Sequence, residues 1–132
     1  MRKAAGKALS LLGYENAELS VLVTGDLKMR ALNRYYRGID RTTDVLSFPM
    51  LEAEGSRAEG VTDVPLALGD IVISAPKAAA QAKEYGHGID DEMLALLVHG
   101  ILHLIGYDHE KGPAESRRMK AKERQLIRLL KP

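Results

Sequence analysis

The segment DDEMLALLVHGILHLIGYDH, residues 90–109, decides how this chain folds. Three acidic residues open it, which is typical of a helix start because the helix dipole stabilises negative charge there. The apolar run that follows ends at Gly106, so the segment predicts a helix from Asp90 to Ile105. Two histidines interrupt this run, which is shorter than the roughly 20 apolar residues that a membrane-spanning helix needs. We therefore expect a buried helix of a globular protein and no membrane crossing.

The flanking sequence predicts further helices and strands in irregular alternation. Helices are predicted over residues 2–12, 27–36, 75–85 and 113–130, and strands over residues 19–24, 43–48 and 66–73. Residues 51–64 have no period and predict a surface loop or an irregular hairpin. This order predicts an α+β fold, in which about five helices pack on a small mixed sheet. At 132 residues the chain is expected to form a single domain, residues 1–132.

Several side chains have expected positions within these elements. Asp26 and Ser74 are each placed to cap the helix that follows. In the helix over residues 27–36, the side chains expected to point inward are Leu27, Met29, Leu32 and Tyr36. In the last helix, the side chains expected to dock on the core are Met119, Leu126, Ile127 and Leu130.

The overall composition is that of a globular protein with little net charge. Hydrophobic residues make up 45% and charged residues 28%, which argues against a disordered chain. The basic first residues lead into a helical pattern rather than a targeting signal, so we expect a cytoplasmic protein. A net charge of +1 gives no general attraction for a polyanion, so any nucleic-acid contact must be local. Basic residues cluster at Arg34, Arg37 and Arg41, and again over residues 115–128, where interleaved Glu115 and Glu123 indicate a solvated helix face.

The histidines predict a metal site. The sequence has no cysteine, so a transition-metal site must use His, Asp or Glu. His99 and His103 are four residues apart on the predicted helix, and their rings therefore project from one face. Gly106 allows the backbone to turn, which can bring His109 back to the same face. Three neutral imidazoles leave a fourth zinc position for water, whose pKa falls to roughly 7 in such sites, so the pattern favours hydrolysis.

Other interpretations of these residues stay open. Asp108 is either a fourth ligand or a hydrogen-bond acceptor for a ligand imidazole. The three histidines are alternatively polar positions without a metal, and His87, between two glycines, is interpreted as an ordinary loop residue. In the HExxH motif of zinc proteases a glutamate follows the first histidine, but Gly100 stands there in this chain. A peptidase would therefore need another carboxylate, such as Asp44 or Asp70, as its general base.

Residues 99–109, HGILHLIGYDH, resemble the signature of the YbeY family, bacterial metal-dependent endoribonucleases of ribosomal RNA maturation. Three further segments resemble the same family in the same order: residues 32–38, 43–49 and 68–74. From the first to the last, these segments span residues 32–109, which is most of the interval from residue 19 to residue 110. Thr42 is a departure, since the family usually has a proline before Thr-Asp.

The resemblance implies a zincin-like α+β fold with one zinc ion on His99, His103 and His109. It also implies a functionally required arginine at Arg37. A guanidinium can hold a phosphate through two hydrogen bonds and stabilise charge in the transition state. The implied substrate is single-stranded ribosomal RNA near the 3′ end of the small-subunit RNA. The implied partners are the small ribosomal subunit, its proteins and its assembly factors, including an assembly GTPase.

Two other functions compete with RNA cleavage. One is metal-dependent hydrolysis of another bond, peptide or small phosphoester; the other is ribosome assembly without catalysis, with a metal that only holds the fold. Three imidazoles also suit nickel, copper or iron, and either water or the RNA 2′-hydroxyl can be the nucleophile. Single-strand binding usually adds aromatic stacking, yet aromatic residues are only 5% of this chain. Of Tyr35, Tyr36, Phe48 and Tyr107, we expect Phe48 and at least one tyrosine to pack in the core.

Overall fold

A computed structural model of the chain describes residues 1–50 and 66–131. The strands in these ranges are β1 (Ala17–Thr24), β2 (Val45–Pro49) and β3 (Leu66–Ser74). The helices are α1 (Arg2–Leu11), α2 (Asp26–Arg37), α3 (Ala75–Tyr85), α4 (Ile89–Leu104) and α5 (Pro113–Leu130). The predicted α+β fold is confirmed, while the loop expected over residues 51–64 lies outside the described residues. None of these helices is long and apolar enough to cross a membrane.

Within the described residues, β3 is the central strand of a sheet with the order β1-β3-β2. β1 runs parallel to β3 and β2 runs antiparallel to it, so the sheet is mixed, as predicted. Both faces of β3 are covered. Ile71 and Ile73 join a buried cluster with residues of α1 and α4, whereas Val72 packs with Met29 of α2 and Leu46 of β2. This double burial explains why residues 71–73 of β3 are consecutive apolar residues rather than an alternating pattern.

α4 is buried between the sheet and α5. On the sheet side, a Cβ atom at Gly100 would stand only 3.0 Å from Cδ1 of Ile71, so glycine permits the close approach of helix and strand. On the other side, α4 and α5 share a cluster of buried residues: Val98, Leu102, Met119 and Leu126. Ile127 and Leu130 pack on the rim of that cluster, which confirms the four docking residues predicted for α5.

α2 differs from its prediction in which side chains point inward. Met29 is fully buried and Leu32 is half-buried, as expected, but Leu27 is 86% exposed and Tyr36 is 61% exposed. Leu27 precedes Met29 by two positions, which places the two side chains on opposite sides of a helix. Tyr36 lies on the last turn of α2 and contacts Phe48 of the edge strand β2, with ring centroids 5.0 Å apart, instead of entering the core. The inward positions predicted for Leu27 and Tyr36 were therefore wrong.

The two predicted caps have different outcomes. Ser74 caps α3, because its Oγ accepts a hydrogen bond from the backbone N–H of Lys77 at 3.2 Å. Asp26 does not cap α2, since Gly25 is the N-cap and Asp26 is the first helical residue. The Asp26 carboxylate instead accepts hydrogen bonds from Ser74 Oγ at 2.8 Å and from Thr42 Oγ1 at 3.1 Å. Thr42 therefore ties the segment before β2 to the start of α2.

Candidate active site

The three histidines predicted as ligands are neighbours in space. His99 and His103 are one turn apart on α4, which ends at Leu104. Gly106 has a φ of 110°, a backbone conformation that favours glycine, and the chain leaves the helix there. His109 follows this turn, and its ring centroid is 5.1 Å from that of His99 and 6.5 Å from that of His103. A short glycine-containing turn therefore brings a third imidazole beside the two of α4.

These ring positions can be compared with the geometry of a metal site. Two imidazoles on one tetrahedral zinc ion have ring centroids about 5 Å apart, since each zinc–nitrogen bond is about 2.0 Å. The His99–His109 separation matches that distance, whereas the His103–His109 separation is longer. In residues 1–50 and 66–131, no three His, Asp or Glu side chains already stand close enough together to hold an ion. The nitrogen donors suit zinc, and the exposed side chain of His103 is free to change rotamer toward the other two.

Glu123 of α5 belongs to this cluster, so its interpretation as part of a solvated helix face was wrong. Its Oε1 lies 2.9 Å from Nδ1 of His99. The hydrogen bond to Glu123 raises the pKa of His99; burial of the ring opposes this rise, and the charges of Glu123 and Asp44 add to it. A carboxylate on Nδ1 orients the ring and leaves Nε2 available as a ligand.

The spacing along α5 indicates that Glu123 lies on the core-facing side of the helix, although its neighbours in the sequence are mostly charged. Met119 and Leu126 are buried, and Glu123 lies four residues after the first and three before the second. Glu123 therefore shares the apolar stripe of the helix rather than the opposite face. An acidic side chain on such a stripe requires a polar partner, because burying a carboxylate without one is costly. In this structure the partner is His99.

Arg37 and the histidines line the same cleft, although they are far apart in the sequence. The cleft has a volume of about 660 Å³ and lies between α2, β2, α4 and α5. Arg37 is the last residue of α2, and its exposed side chain forms no hydrogen bond or ion pair with any other residue of the described ranges. The polar residues that line the cleft are Arg37, Thr43, Asp44, Ser47, His99, His103, His109, Glu110 and Glu123. The cleft therefore combines a cation with several donors for a metal.

The three aspartates considered in the sequence have different positions. Asp44 lines the cleft, but its Oδ1 accepts the backbone N–H of the next residue at 2.8 Å, and its Oδ2 accepts from Gln81 at 3.3 Å. Asp70 lines a separate cavity of about 770 Å³ beside α1 and β1 and does not line the cleft of the histidines. Asp108 does not line the cleft, and its Oδ1 accepts the backbone N–H two residues later at 2.9 Å. Asp108 thus holds the turn that carries His109.

His87 is more than an ordinary loop residue. Its Nε2 lies 2.8 Å from Oε1 of Glu92, whose side chain is only 5% exposed. A buried carboxylate needs such a partner. His87, in the loop before α4, therefore provides the hydrogen-bond partner of the Glu92 carboxylate on the first turn of the helix. His87 does not line the cleft of the other three histidines. We assign it a structural role.

The orientation of α4 explains why the HExxH pattern is absent. The position after His99 faces β3, where a Cβ atom at Gly100 would lie 3.0 to 3.2 Å from three side-chain atoms of Ile71. A glutamate there would enter the core instead of the cleft. The general base of the HExxH proteases therefore has no equivalent at this position.

Comparisons with known proteins identify close relatives. The chain matches the sequence profile of the family described as "Endoribonuclease YbeY" over residues 1–131. It is 49% identical over 131 residues to Endoribonuclease YbeY of Geobacter metallireducens, which covers 98% of this chain and 84% of the relative. The YbeY of Geobacter sulfurreducens is 50% identical with the same coverage, and that of Aquifex aeolicus is 46% identical over 127 residues, 96% of this chain and 79% of the relative.

A solved structure has the same fold. The solution structure of TM1509 from Thermotoga maritima superposes with a TM-score of 0.66 at 26% sequence identity, covering 98% of this chain and 77% of that one. Together with the profile match, these relatives confirm the family resemblance and the endoribonuclease class that it predicts. The chain therefore belongs to the YbeY family of endoribonucleases.

Proposed function

We propose that residues 1–132 form one domain, a zinc-dependent endoribonuclease that cleaves single-stranded ribosomal RNA in the cytoplasm, near the 3′ end of the small-subunit RNA. Its partners in this proposal are the small ribosomal subunit and its assembly factors. The observation that supports it best is the shared cleft of Arg37, His99, His103 and His109. An RNA substrate is supported by the relatives, which are named endoribonucleases.

The proposed ligands of the metal are the ring nitrogens of His99, His103 and His109, a donor set that suits zinc. When bound, such an ion supplies Lewis-acid activation of water or of a phosphate oxygen. Glu123 holds Nδ1 of His99 and so fixes which nitrogen of that ring is available. His103 and His109 are exposed to the cleft, which leaves room for a substrate beside the ligands.

Arg37 is proposed to bind the scissile phosphodiester. Its guanidinium is exposed and has no carboxylate partner in the described parts of the chain, so no internal ion pair competes with a phosphate. A planar guanidinium donates two parallel hydrogen bonds to phosphate oxygens and stabilises the charge that develops during cleavage. Phosphate contacts carry no sequence information, so this residue positions the strand without selecting its bases.

The experiment that tests the proposal is cleavage of small-subunit precursor RNA by the zinc-loaded protein, with the ends of the products mapped. Arg37→Ala should lower the cleavage rate about 100-fold or more, which is the usual loss when one charge-stabilising donor is removed. His103→Ala should abolish cleavage. Arg34→Ala is the matched control, because Arg34 is exposed on the same last turn of α2 but does not line the cleft.

Arg34→Ala is expected to cleave at the wild-type rate. Equal cleavage by the wild-type protein and His103→Ala would identify a contaminating nuclease and contradict the proposal. Equal losses in Arg34→Ala and Arg37→Ala would show that general positive charge, rather than the position of Arg37 in the cleft, accounts for the effect.

A further inference from the structure

Three adjoining aromatic rings lie close to Arg37, and two of them are exposed. Tyr35 is 80% exposed and Tyr36 is 61% exposed. The ring centroid of Tyr36 lies 4.8 Å from that of Tyr35 and 5.0 Å from that of Phe48. Tyr36 and Phe48 also line the cleft that contains Arg37 and the histidines. We call Tyr35, Tyr36 and Phe48 the aromatic platform.

Core packing accounts for only one ring of this platform. Phe48 packs against the buried cluster of Met29, Leu46 and Val72. The two tyrosines lie outside that cluster and present most of their surface to water. A single exposed aromatic residue is ordinary, but adjoining aromatic rings, two of which line a cleft, indicate a binding surface.

We propose that Tyr36 stacks on an unpaired nucleobase of the RNA strand whose phosphate is bound by Arg37. This inference rests on the proposed function, because it assigns a subsite within the same cleft. Tyr36 and Arg37 are consecutive at the end of α2 and both line the cleft, so one RNA strand lying in the cleft can reach the ring and the guanidinium. Phe48 supports the Tyr36 ring from β2, which limits the freedom that the ring would lose on stacking.

Base stacking can distinguish single-stranded from duplex RNA, which the phosphate contact of Arg37 cannot do. Every base has a π-face, so an aromatic ring binds unpaired bases with little regard to sequence. In a duplex, both faces of each base are already covered by its neighbours, and the platform has nothing to stack on. Tyr36 therefore selects single-stranded RNA, whereas a phosphate contact alone accepts either form.

The test measures binding separately from cleavage. All variants carry His103→Ala, which prevents the strand from being cut, and the probe is a fluorescently labelled oligoadenylate RNA. Adding Tyr36→Ala should weaken its binding about 5- to 150-fold, the usual range for loss of one stacking ring. Adding Tyr36→Phe should leave affinity nearly unchanged, because the ring is kept. Tyr85→Ala is the matched control, since Tyr85 is 63% exposed on α3 but does not line the cleft.

A second measurement separates stacking from an indirect structural effect. A 2-aminopurine base in the oligonucleotide should lose fluorescence on binding to protein that has Tyr36 or the Tyr36→Phe substitution, because both keep the ring. It should keep its fluorescence with Tyr36→Ala, even at saturating protein. The inference would be overturned if Tyr36→Ala bound the single-stranded probe as tightly as the protein with His103→Ala alone. It would also be overturned if Tyr36→Ala lost as much affinity for duplex RNA as for single-stranded RNA. The proposed function is tested separately, by RNA cleavage with the protein that retains His103. If that protein failed to cleave RNA while the Tyr36-dependent quenching was still observed, the proposed enzyme activity would be refuted and the stacking subsite would still hold.

Discussion

Replacing Glu123 by glutamine should weaken zinc binding while leaving the fold intact. Oε1 of Glu123 lies 2.9 Å from Nδ1 of His99, and the two side chains are 24% and 31% exposed. Loss of a carboxylate that orients a ligand histidine costs about 10- to 100-fold in metal affinity, or about 1.4 to 2.7 kcal/mol. Because water reaches both side chains and screens their charges, we expect the lower part of this range, about 10- to 30-fold.

The assay is a competition titration of zinc between the protein and a chelator at fixed pH. Glu115→Gln provides the control, since it removes the same charge from the same helix. Glu115 pairs with the exposed Arg118 at 3.5 Å and does not line the cleft, so its variant should bind zinc as the wild type does. Wild-type affinity in Glu123→Gln, or an equal loss in both variants, would refute the role of Glu123 in orienting His99.

Three further predictions concern the core and the metal. Gly100→Glu, which introduces the HExxH pattern, should destabilise the protein by about 3 kcal/mol or more, because the new side chain would meet Ile71 in the core. It should not create a peptidase. Urea unfolding measures the stability and a casein assay measures peptidase activity; a variant as stable as the wild type would contradict the packing of α4 on β3. Gly69→Ala should cost about 1–3 kcal/mol, since Gly69 has a φ of 145° and its Cβ would overlap the carbonyl oxygen of Phe48; an unchanged urea midpoint would argue against this. Metal removal by a chelator should stop RNA cleavage but preserve the far-UV circular dichroism, because His103 and His109 are exposed and His99 is only half-buried, so the core does not depend on them. Loss of both together would favour a metal that only holds the fold.

The parts of the site that are local in the sequence were predictable. The apolar period defines α4, the four-residue spacing puts His99 and His103 on one face, and Gly106 provides the turn before His109. The order of helices and strands follows from the same kind of local pattern. Local periodicity determines these features because it fixes side-chain direction within a few turns of helix or strand.

The parts of the site that depend on packing between elements were not predictable in the same way. Arg37 could be predicted only through family resemblance, because only the packing of α2 beside β2 brings it to the histidines. Glu123 was interpreted wrongly because its neighbours along α5 are charged, although its spacing from Met119 follows the apolar stripe. Tyr36 follows the helical period from Met29, but the helix extends to the sheet edge, where no core remains to bury its last turn.

The geometry of the cleft is set by β3, although β3 contributes no residue to its lining. β2 forms one wall and is held by antiparallel pairing from Val45 to Pro49 with β3. α4 forms the facing wall and approaches the same strand closely, because position 100 is glycine. Ser47 of β2 also donates a hydrogen bond to the carbonyl oxygen of Gly100 at 3.4 Å, which joins the two walls. Because both walls are attached to one buried strand, the spacing between the strand wall and the histidines is a property of the core. Arg37, His103 and His109 remain exposed and available to ligands.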